Sequence, residues 1–131
     1  MFDQSLIEVD NIESVSSVLA EYGVCIVKNI MNENECNQMV EKMANTFEYL
    51  TADLDVPFQF SDPSTWNTLE ELGPIRHMLH HHYSIGQAQF VWDIRCNPHI
   101  VQTFAKLWNT EDLLVSFDGL SYSLPPEITK A

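Results

Sequence analysis

The sequence predicts an α+β fold in which helices outnumber strands. Apolar residues recur at helical spacing along most of the 131 residues, whereas only two short runs are rich in β-branched residues. The length is that of one ordinary domain, so residues 1–131 are expected to form a single one. Two short strands do not make a stable sheet by themselves. Either strands are missing, or they pair with another chain.

The first predicted helix spans residues 12–22, where Ile, Val, Leu and Tyr recur at helical spacing. Asn11 is its predicted N-cap, and Gly23 is its predicted C-terminal stop. The following run, "VCIVKNI", is short and β-branched, so it predicts a buried strand.

The clearest helix is predicted in "MNENECNQMVEKMANTFEYL". Asn32 is followed three residues later by Glu35, the pattern of a capping box. From Cys36 to Leu50 the apolar residues then form one continuous helical face. This face is expected to pack on the core.

Residues 51–63 lack any such period and are predicted to form a loop. Asp62 and Pro63 then begin a short helix, "STWNTLEEL", which a Gly-Pro pair ends. A fourth helix is predicted in "IGQAQFVWDIR", and Asn97 with Pro98 begins a fifth in "HIVQTFAKLW". "DLLVSF" is predicted to be a strand, "DG" a turn, and the remaining tail irregular.

The charge argues against several classes of function. Six Lys and Arg stand against nineteen Asp and Glu, giving a net charge of -13 that repels phosphate backbones and disfavours nucleic acid as a partner. The first residues do not resemble a signal peptide, and no run approaches the roughly 20 apolar residues of a membrane span. An intracellular, cytoplasmic protein that contacts no membrane is therefore expected.

The three cysteines are odd in number and far apart, which indicates reduced thiols rather than a disulfide framework. Cys25 lies in a predicted buried strand and Cys36 on an apolar helix face, so both are interpreted as small buried hydrophobes. Cys96 follows Arg95, but no Cys–His arrangement indicates a catalytic thiol.

Four of the five histidines fall in "RHMLHHHY". If this segment were helical, His77, His80 and His81 would lie near one another and, with Glu70 or Glu71, would suit zinc or iron. A Gly-Pro pair just upstream argues against a continuous helix. The favoured interpretation is a polar loop near a cleft with no metal, and the metal site is the alternative.

The segment "FVWDIR" places a carboxylate and a guanidinium two residues apart among large apolar groups. Asp93 and Arg95 are interpreted either as an ion pair at the edge of the core or as groups that orient an anionic substrate. Asp118 before a glycine is a turn residue or a group facing a cleft. No phosphate-binding loop and no hydrolase or zinc-protease motif is present.

The order of these segments is similar to that of a known family. "YGVCIVKNIMNENECNQMVEKM", then "IGQAQFVWDIRCNPHIVQTFAKLWNTEDLLVSFDGLSYSLPPE", resembles the N-terminal half of the phytanoyl-CoA dioxygenase-like oxygenases. The resemblance is greatest to divergent members from large DNA viruses, algae and fungi, and it covers nearly the whole chain. It implies flanking helices and the first strand or strands of a double-stranded β-helix, a jelly roll of about eight strands.

The family uses Fe(II) and 2-oxoglutarate, and it holds the iron with a His-x-Asp pair and a distant second histidine. An arginine beyond that histidine binds the 2-oxoglutarate carboxylate. In relatives the His-x-Asp pair follows the equivalent of "SFDGLSYSLPPE", which places it beyond Ala131. No histidine of this chain is followed two residues later by aspartate, so no iron ligand carries over.

Three hypotheses follow. The first is a truncated or split fragment of such an oxygenase, inactive alone and binding neither Fe(II) nor 2-oxoglutarate by itself. A second chain carrying the C-terminal half of the barrel would then complete it. In the completed domain the cosubstrate is decarboxylated and a C–H bond is hydroxylated, with Trp92, Asp93, Arg95 and Asp118 as the residues expected near the substrate. The second hypothesis is a non-catalytic binding module, and the third is a metal enzyme that uses the histidine stretch.

Overall fold

A computed structural model describes residues 5–129 and combines helices with small sheets, as the α+β prediction requires. The α-helices are α1 (Val15–Tyr22), α2 (Glu33–Leu50), α3 (Gln89–Arg95), α4 (Pro98–Trp108) and α5 (Pro126–Thr129). The strands are β1 (Leu6–Glu8), β2 (Ile26–Lys28), β3 (Leu79–His80) and β4 (Leu120–Ser121). Three 3-10 helices span Val9–Ser14, Pro63–Leu72 and Ile85–Gln87. Every helix among the described residues is too short or too polar to span a lipid bilayer.

The chain forms two compact units. The first contains the residues up to Cys36 together with Asp93–Val115, and the second contains Asn37–Trp92 together with the residues from Ser116 onward. The chain passes from one unit to the other within α2, within α3 and again after Val115.

A parallel pair of strands opens the first unit. β1 pairs with β2 so that Glu8 lies opposite Lys28, whose ammonium contacts the Glu8 carboxylate at 2.5 Å. That hydrogen bond, with one from Asn29, holds the pKa of Glu8 below its usual value. The prediction that the second strand is buried is wrong, because Ile26 and Lys28 are exposed and only Val27 is half-buried. β1 was not recognised in the sequence because it is only three residues long.

The first helix starts later than predicted. Asn11 adopts φ -116° and ψ 31°, which interrupts the helical path, so α1 begins only at Val15 and Asn11 is not its cap. The predicted stop is confirmed: Gly23 has φ 70°, and its N–H donates to the Leu19 carbonyl at 2.9 Å. This is the left-handed conformation that glycine adopts readily at the end of a helix.

The capping box of α2 is confirmed. The Glu35 N–H donates to Asn32 Oδ1 at 3.0 Å, and the Asn32 N–H donates to Glu35 Oε2 at 2.7 Å. The predicted apolar face is only partly covered. Cys36 and Val40 are exposed, so the prediction that Cys36 is buried is wrong, whereas Phe47 is buried.

The second unit is built around an aromatic and aliphatic core. Its buried members are Phe47, Phe58, Leu69, Leu72, Ile85, Phe90 and Val91. The 3-10 helix Pro63–Leu72 lies where a short helix was predicted, with the Asp62 carboxylate accepting from the Ser64 N–H and Gly73 at its end. Its tight 3-10 turns were not distinguished from an α-helix, because the two differ in hydrogen-bond geometry more than in sequence.

Residues 85–108 contain the two predicted helices. α3 follows the 3-10 turn Ile85–Gln87, and the Asn97 side chain caps α4 by accepting from the N–H groups of His99 and Ile100. The prediction of a strand at residues 112–117 is wrong, since those residues belong to no strand. A β-prone sequence becomes a strand only when a neighbour accepts its backbone bonds.

Thr51 joins α2 to the loop that follows it. Its hydroxyl donates to the Phe47 carbonyl at 2.8 Å and accepts from the Phe58 N–H at 2.9 Å, with the side chain 0% exposed. We expect Thr51→Val to lower the free energy of unfolding by about 1–3 kcal/mol, because it leaves the buried Phe58 N–H without a partner. Urea denaturation followed by circular dichroism measures this.

The matched control is Thr46→Val, since the Thr46 hydroxyl donates to the Lys42 carbonyl in the same i to i−4 manner but accepts nothing from the following loop. Its effect should stay within about 0.5 kcal/mol. Equal losses in the two variants would show that the Phe58 contact contributes nothing.

Candidate functional site

The histidine stretch is a strand with a short loop on either side. β3 pairs with β4 in antiparallel fashion, with Leu79 opposite Ser121 and His80 opposite Leu120. The Tyr122 N–H extends the pairing by donating to the Met78 carbonyl at 3.0 Å. The sequence prediction treated this tail as irregular, which is wrong for β4 at Leu120–Ser121 and for α5 at Pro126–Thr129. Burial alternates along residues 120–124, with Leu120, Tyr122 and Leu124 half-buried and the serines between them exposed.

His80 departs most from the sequence prediction. The stretch was predicted to be a polar loop, and His77, His81 and His82 are indeed exposed. His80 instead lies 0% exposed beside the rings of Phe47, Tyr83 and Tyr122, with centroid distances of 6.4, 6.2 and 6.2 Å. Alternation along a strand explains this, because successive side chains point to opposite faces.

The three histidines of the alternative metal site have different surroundings. His77 Nδ1 lies 2.7 Å from Glu70 Oε2, His81 Nδ1 lies 3.0 Å from Asp118 Oδ1, and His80 lies among aromatic rings. Among residues 5–129 no group of three or more His, Cys, Asp or Glu side chains is placed to hold a metal ion. The described residues therefore do not fit an iron centre.

Asp118 and Gly119 lie immediately before β4. Asp118 Oδ1 accepts from the Gly119 N–H at 2.8 Å, and the Asp118 N–H donates to Ser116 Oγ at 3.2 Å. The Asp118 carboxylate also lies 3.0 Å from His81 Nδ1. A Cβ on Gly119 would collide with the His80 carbonyl, and one on Gly86 would collide with the Asp118 carbonyl.

The four predicted substrate-side residues belong to both units of the chain. In the second unit, Trp92 donates its indole N–H to Gln87 Oε1 at 3.2 Å and packs on Phe117, 5.7 Å between ring centroids. Asp118, also in this unit, is the next residue along the chain. Asp93 and Arg95 are half-buried on the part of α3 that belongs to the first unit. The two shallow depressions of about 410 and 400 Å³ on the second unit are not lined by any of these four residues.

Sequence reasoning missed Tyr122. Its hydroxyl donates to the Leu69 carbonyl at 3.1 Å, and its ring contacts Phe47 edge-on at 5.3 Å. Burial, with a smaller effect of Glu70, raises the pKa of Tyr122 to about 12, so the phenol stays protonated as a donor. The alternation in "LSYSL" was the available signal. Among the cysteines, burial raises the pKa of the half-buried Cys25 thiol, while Cys96 is exposed.

Comparison with curated proteins gives two relatives. A protein of Aspergillus versicolor named "Ava biosynthesis cluster protein O" is 33% identical over 103 residues, which cover 79% of this chain and 32% of that protein. A Dictyostelium discoideum protein named "Putative phytanoyl-CoA dioxygenase" is 28% identical over 107 residues, covering 79% of this chain and 29% of that protein. No family model matches the chain, and no solved structure matches it.

The chain is thus distantly related to phytanoyl-CoA dioxygenase-like proteins. It spans about a third of the length of the curated relatives it matches.

The close approach at Gly119 leads to a prediction. We expect Gly119→Ala to lower the free energy of unfolding by about 3 kcal/mol, because the new methyl group meets backbone that cannot rotate away. Gly73→Ala is the matched control: it has open space but φ 67°, so strain alone should remove about 1 kcal/mol. Urea denaturation of both variants makes the comparison. Equal losses would mean that β3 and β4 are not in close contact.

Proposed function

We propose that this chain is a truncated or split part of a phytanoyl-CoA dioxygenase-like oxygenase, corresponding to its N-terminal portion. The complete domain would be a jelly roll that uses Fe(II) and 2-oxoglutarate. On this proposal the iron ligands come from residues other than these 131, carried by a second polypeptide, and the chain alone is inactive.

One observation carries the proposal. Both curated relatives match this chain over about four-fifths of its length, yet the matched segments make up only about a third of each relative. The chain contains no His-x-Asp sequence, and the described histidines diverge to separate partners. The chain can be related to the family and still lack the family's iron ligands if those ligands lie in the remaining two-thirds of the domain.

The first unit supports this proposal through α4. The helix packs against α1 and the 3-10 helix Val9–Ser14, and Lys106 contacts Glu13 at 2.7 Å, yet no α4 residue is buried. Val101, Phe104 and Trp108 lie at spacings of three and four along one side and are 41%, 48% and 65% exposed. A continuous apolar stripe of this kind is typical of a surface that another element covers.

Residues 113–117, where the chain leaves the first unit after Val115 and enters the second, also support the proposal. Leu114 is fully exposed and Phe117 is 69% exposed, in a β-prone run that has no strand partner among the described residues. A jelly roll places such runs between neighbouring strands, where backbone and side chains are both covered. The proposed complementary polypeptide would supply those neighbours.

A non-catalytic binding module is the second candidate, and one observation favours it. The core of the second unit contains directional contacts throughout, such as the Thr51 hydroxyl between Phe47 and Phe58 and the Tyr122 hydroxyl on Leu69. Such a core is able to fold without help from another chain. The two candidates therefore differ in whether the isolated chain is fully folded.

The first test is metal and cosubstrate binding by the purified chain. Fe(II) and 2-oxoglutarate are added anaerobically, and the visible metal-to-cosubstrate charge-transfer band is sought. We expect no band and no stoichiometric 2-oxoglutarate binding, because the described residues do not gather three iron ligands. A stoichiometric band would overturn the proposal. Near-UV circular dichroism of the same sample separates the candidates: a weak signal supports the split oxygenase, and a sharp one supports the binding module.

The second test concerns the stripe on α4. The double variant Phe104→Asn, Trp108→Asn should lower the free energy of unfolding by no more than about 1.5 kcal/mol, since the two side chains are already 48% and 65% exposed. Binding of the dye ANS should fall, because it reports exposed apolar surface.

The control for the second test is Phe90→Ala, which truncates a buried core residue and should remove about 3–5 kcal/mol. Far-UV circular dichroism follows unfolding in both variants, since a tryptophan is lost in one. A loss above 2 kcal/mol in the double variant would show that the stripe belongs to this chain's own core and needs no partner.

A further inference from the structure

His80 is a buried polar side chain without a hydrogen-bond partner. Its exposure is 0%, and neither Nδ1 nor Nε2 finds a donor or acceptor among the described residues. Its ring instead faces those of Phe47, Tyr83 and Tyr122. A buried polar group in this state usually has a reason beyond stability, because an apolar ring of the same shape would pack at lower free energy.

Protonation would make this position much less favourable. A buried unpaired cation loses far more hydration free energy than a neutral imidazole. Cation–π attraction does not offset the loss, because it requires a ring face within about 6 Å and is worth about 2 kcal/mol at best. The nearest centroids lie at 6.2 Å, and the Tyr122 ring stands at 87° to the imidazole.

The charged and titratable groups around His80 also do not compensate for the hydration free energy that a buried, protonated His80 would lose. On the same segment, His81 and His82 repel a proton on His80. Asp118 beside β4 pairs with His81, and Glu70 pairs with His77, so neither carboxylate is hydrogen-bonded to His80.

The remaining titratable neighbours of His80 are the phenols of Tyr83 and Tyr122. That of Tyr122 donates to Leu69 and has its pKa raised to about 12, so it stays neutral. Burial has the largest effect on the pKa of His80 and lowers it, and the nearby His82 and His81 lower it further.

The backbone of His80 is held on both sides, so the His80 ring does not reach water unless β3 itself moves. His80 pairs with Leu120, its carbonyl abuts Gly119, and the adjacent Met78 carbonyl accepts from the Tyr122 N–H. For the ring to reach water, β3 must separate from β4 or leave the core with it.

The segments on either side of β3 store strain that such a movement would relieve. Arg76 and His77 precede the strand with φ values of 54° and 59°, and Tyr83 and Ser84 follow it with 55° and 54°. Residues with side chains rarely adopt this left-handed conformation and hold it only when the surrounding structure enforces it. Two such pairs bracket the strand that carries His80.

We propose that His80 is a proton-triggered latch: its protonation separates β3 from β4 and releases them from the aromatic core of the second unit while the rest of that unit stays folded. The device is independent of the proposed oxygenase relationship, since it uses only residues of this chain. It would make the surface around Tyr122 available in mildly acidic surroundings and close it near neutral pH.

The direction of the pH dependence follows from proton linkage. The closed form has the lower pKa and binds fewer protons than the open form, in which His80 has an ordinary pKa near about 6.5. The closed form is therefore favoured above that pH and loses stability as the pH falls below it. The opening equilibrium constant should rise by up to about tenfold per pH unit until the closed form also titrates.

The test is amide hydrogen exchange between pH 7.5 and pH 5, with rates corrected for intrinsic exchange and a chelator present to exclude metal. The reporter is the Tyr122 N–H, which is bonded to Met78. The internal reference is the Thr51 N–H, bonded to Phe47 in the same unit. We expect protection of Tyr122 to fall at least tenfold below pH 6.5 while protection of Thr51 stays constant.

Variants assign the effect to one side chain. His80→Phe should make the protection of Tyr122 independent of pH, and His80→Leu is the second variant in case the larger ring disturbs the core. His99→Gln is the control, because that exposed histidine belongs to the first unit and should leave the response intact. A response that persists in the folded His80 variants would overturn the latch, as would an equal fall at Thr51 in the wild type, which would indicate global unfolding.

Discussion

The second unit depends on one side chain, the Phe47 ring near the end of α2. It contacts Phe58 from the following loop, His80 from β3 and Tyr122 from the segment after β4. The Phe47 carbonyl also accepts a hydrogen bond from the Thr51 hydroxyl, which holds the loop after α2 in place. Segments far apart in the chain therefore meet at a single helical position. The capping box at the start of α2 matters for the same reason, because it sets where that helix begins.

An acidic chain of this kind has few cations with which to form ion pairs, and its carboxylates act mainly as hydrogen-bond acceptors. Glu35 and Asp62 accept backbone N–H groups at helix starts, and Asp118 accepts one just before β4. Each stabilises a local structure in water without needing a basic partner. The Glu8–Lys28 ion pair is exposed and adds little to stability. It favours the register in which Glu8 of β1 lies opposite Lys28 of β2.

The relationship to phytanoyl-CoA dioxygenase-like proteins and the exposed apolar surfaces lead to the same proposal. A helix whose apolar side stays in water, as α4 does, is not explained by the stability of the chain alone. Covering by further strands of a larger domain explains both that stripe and the unpaired run that contains Leu114 and Phe117. In that proposal the iron ligands lie among other residues, so His77 and His81 are free to contact Glu70 and Asp118.

The sequence by itself determined the local features of this protein. The caps at Asn32, Asp62 and Asn97 and the stop at Gly23 follow from contacts within a few residues, so short patterns predict them. The α+β class was predicted for the same reason.

The tertiary structure alone decided which side chains those elements bury. β1, β3 and β4 have two or three residues each, too few for a periodic signal, and they exist because a distant segment pairs with them. His80 was predicted to lie in a polar loop because a Gly-Pro pair precedes the histidine stretch. It is buried because pairing with Leu120 turns it towards Phe47, a contact that no local pattern records.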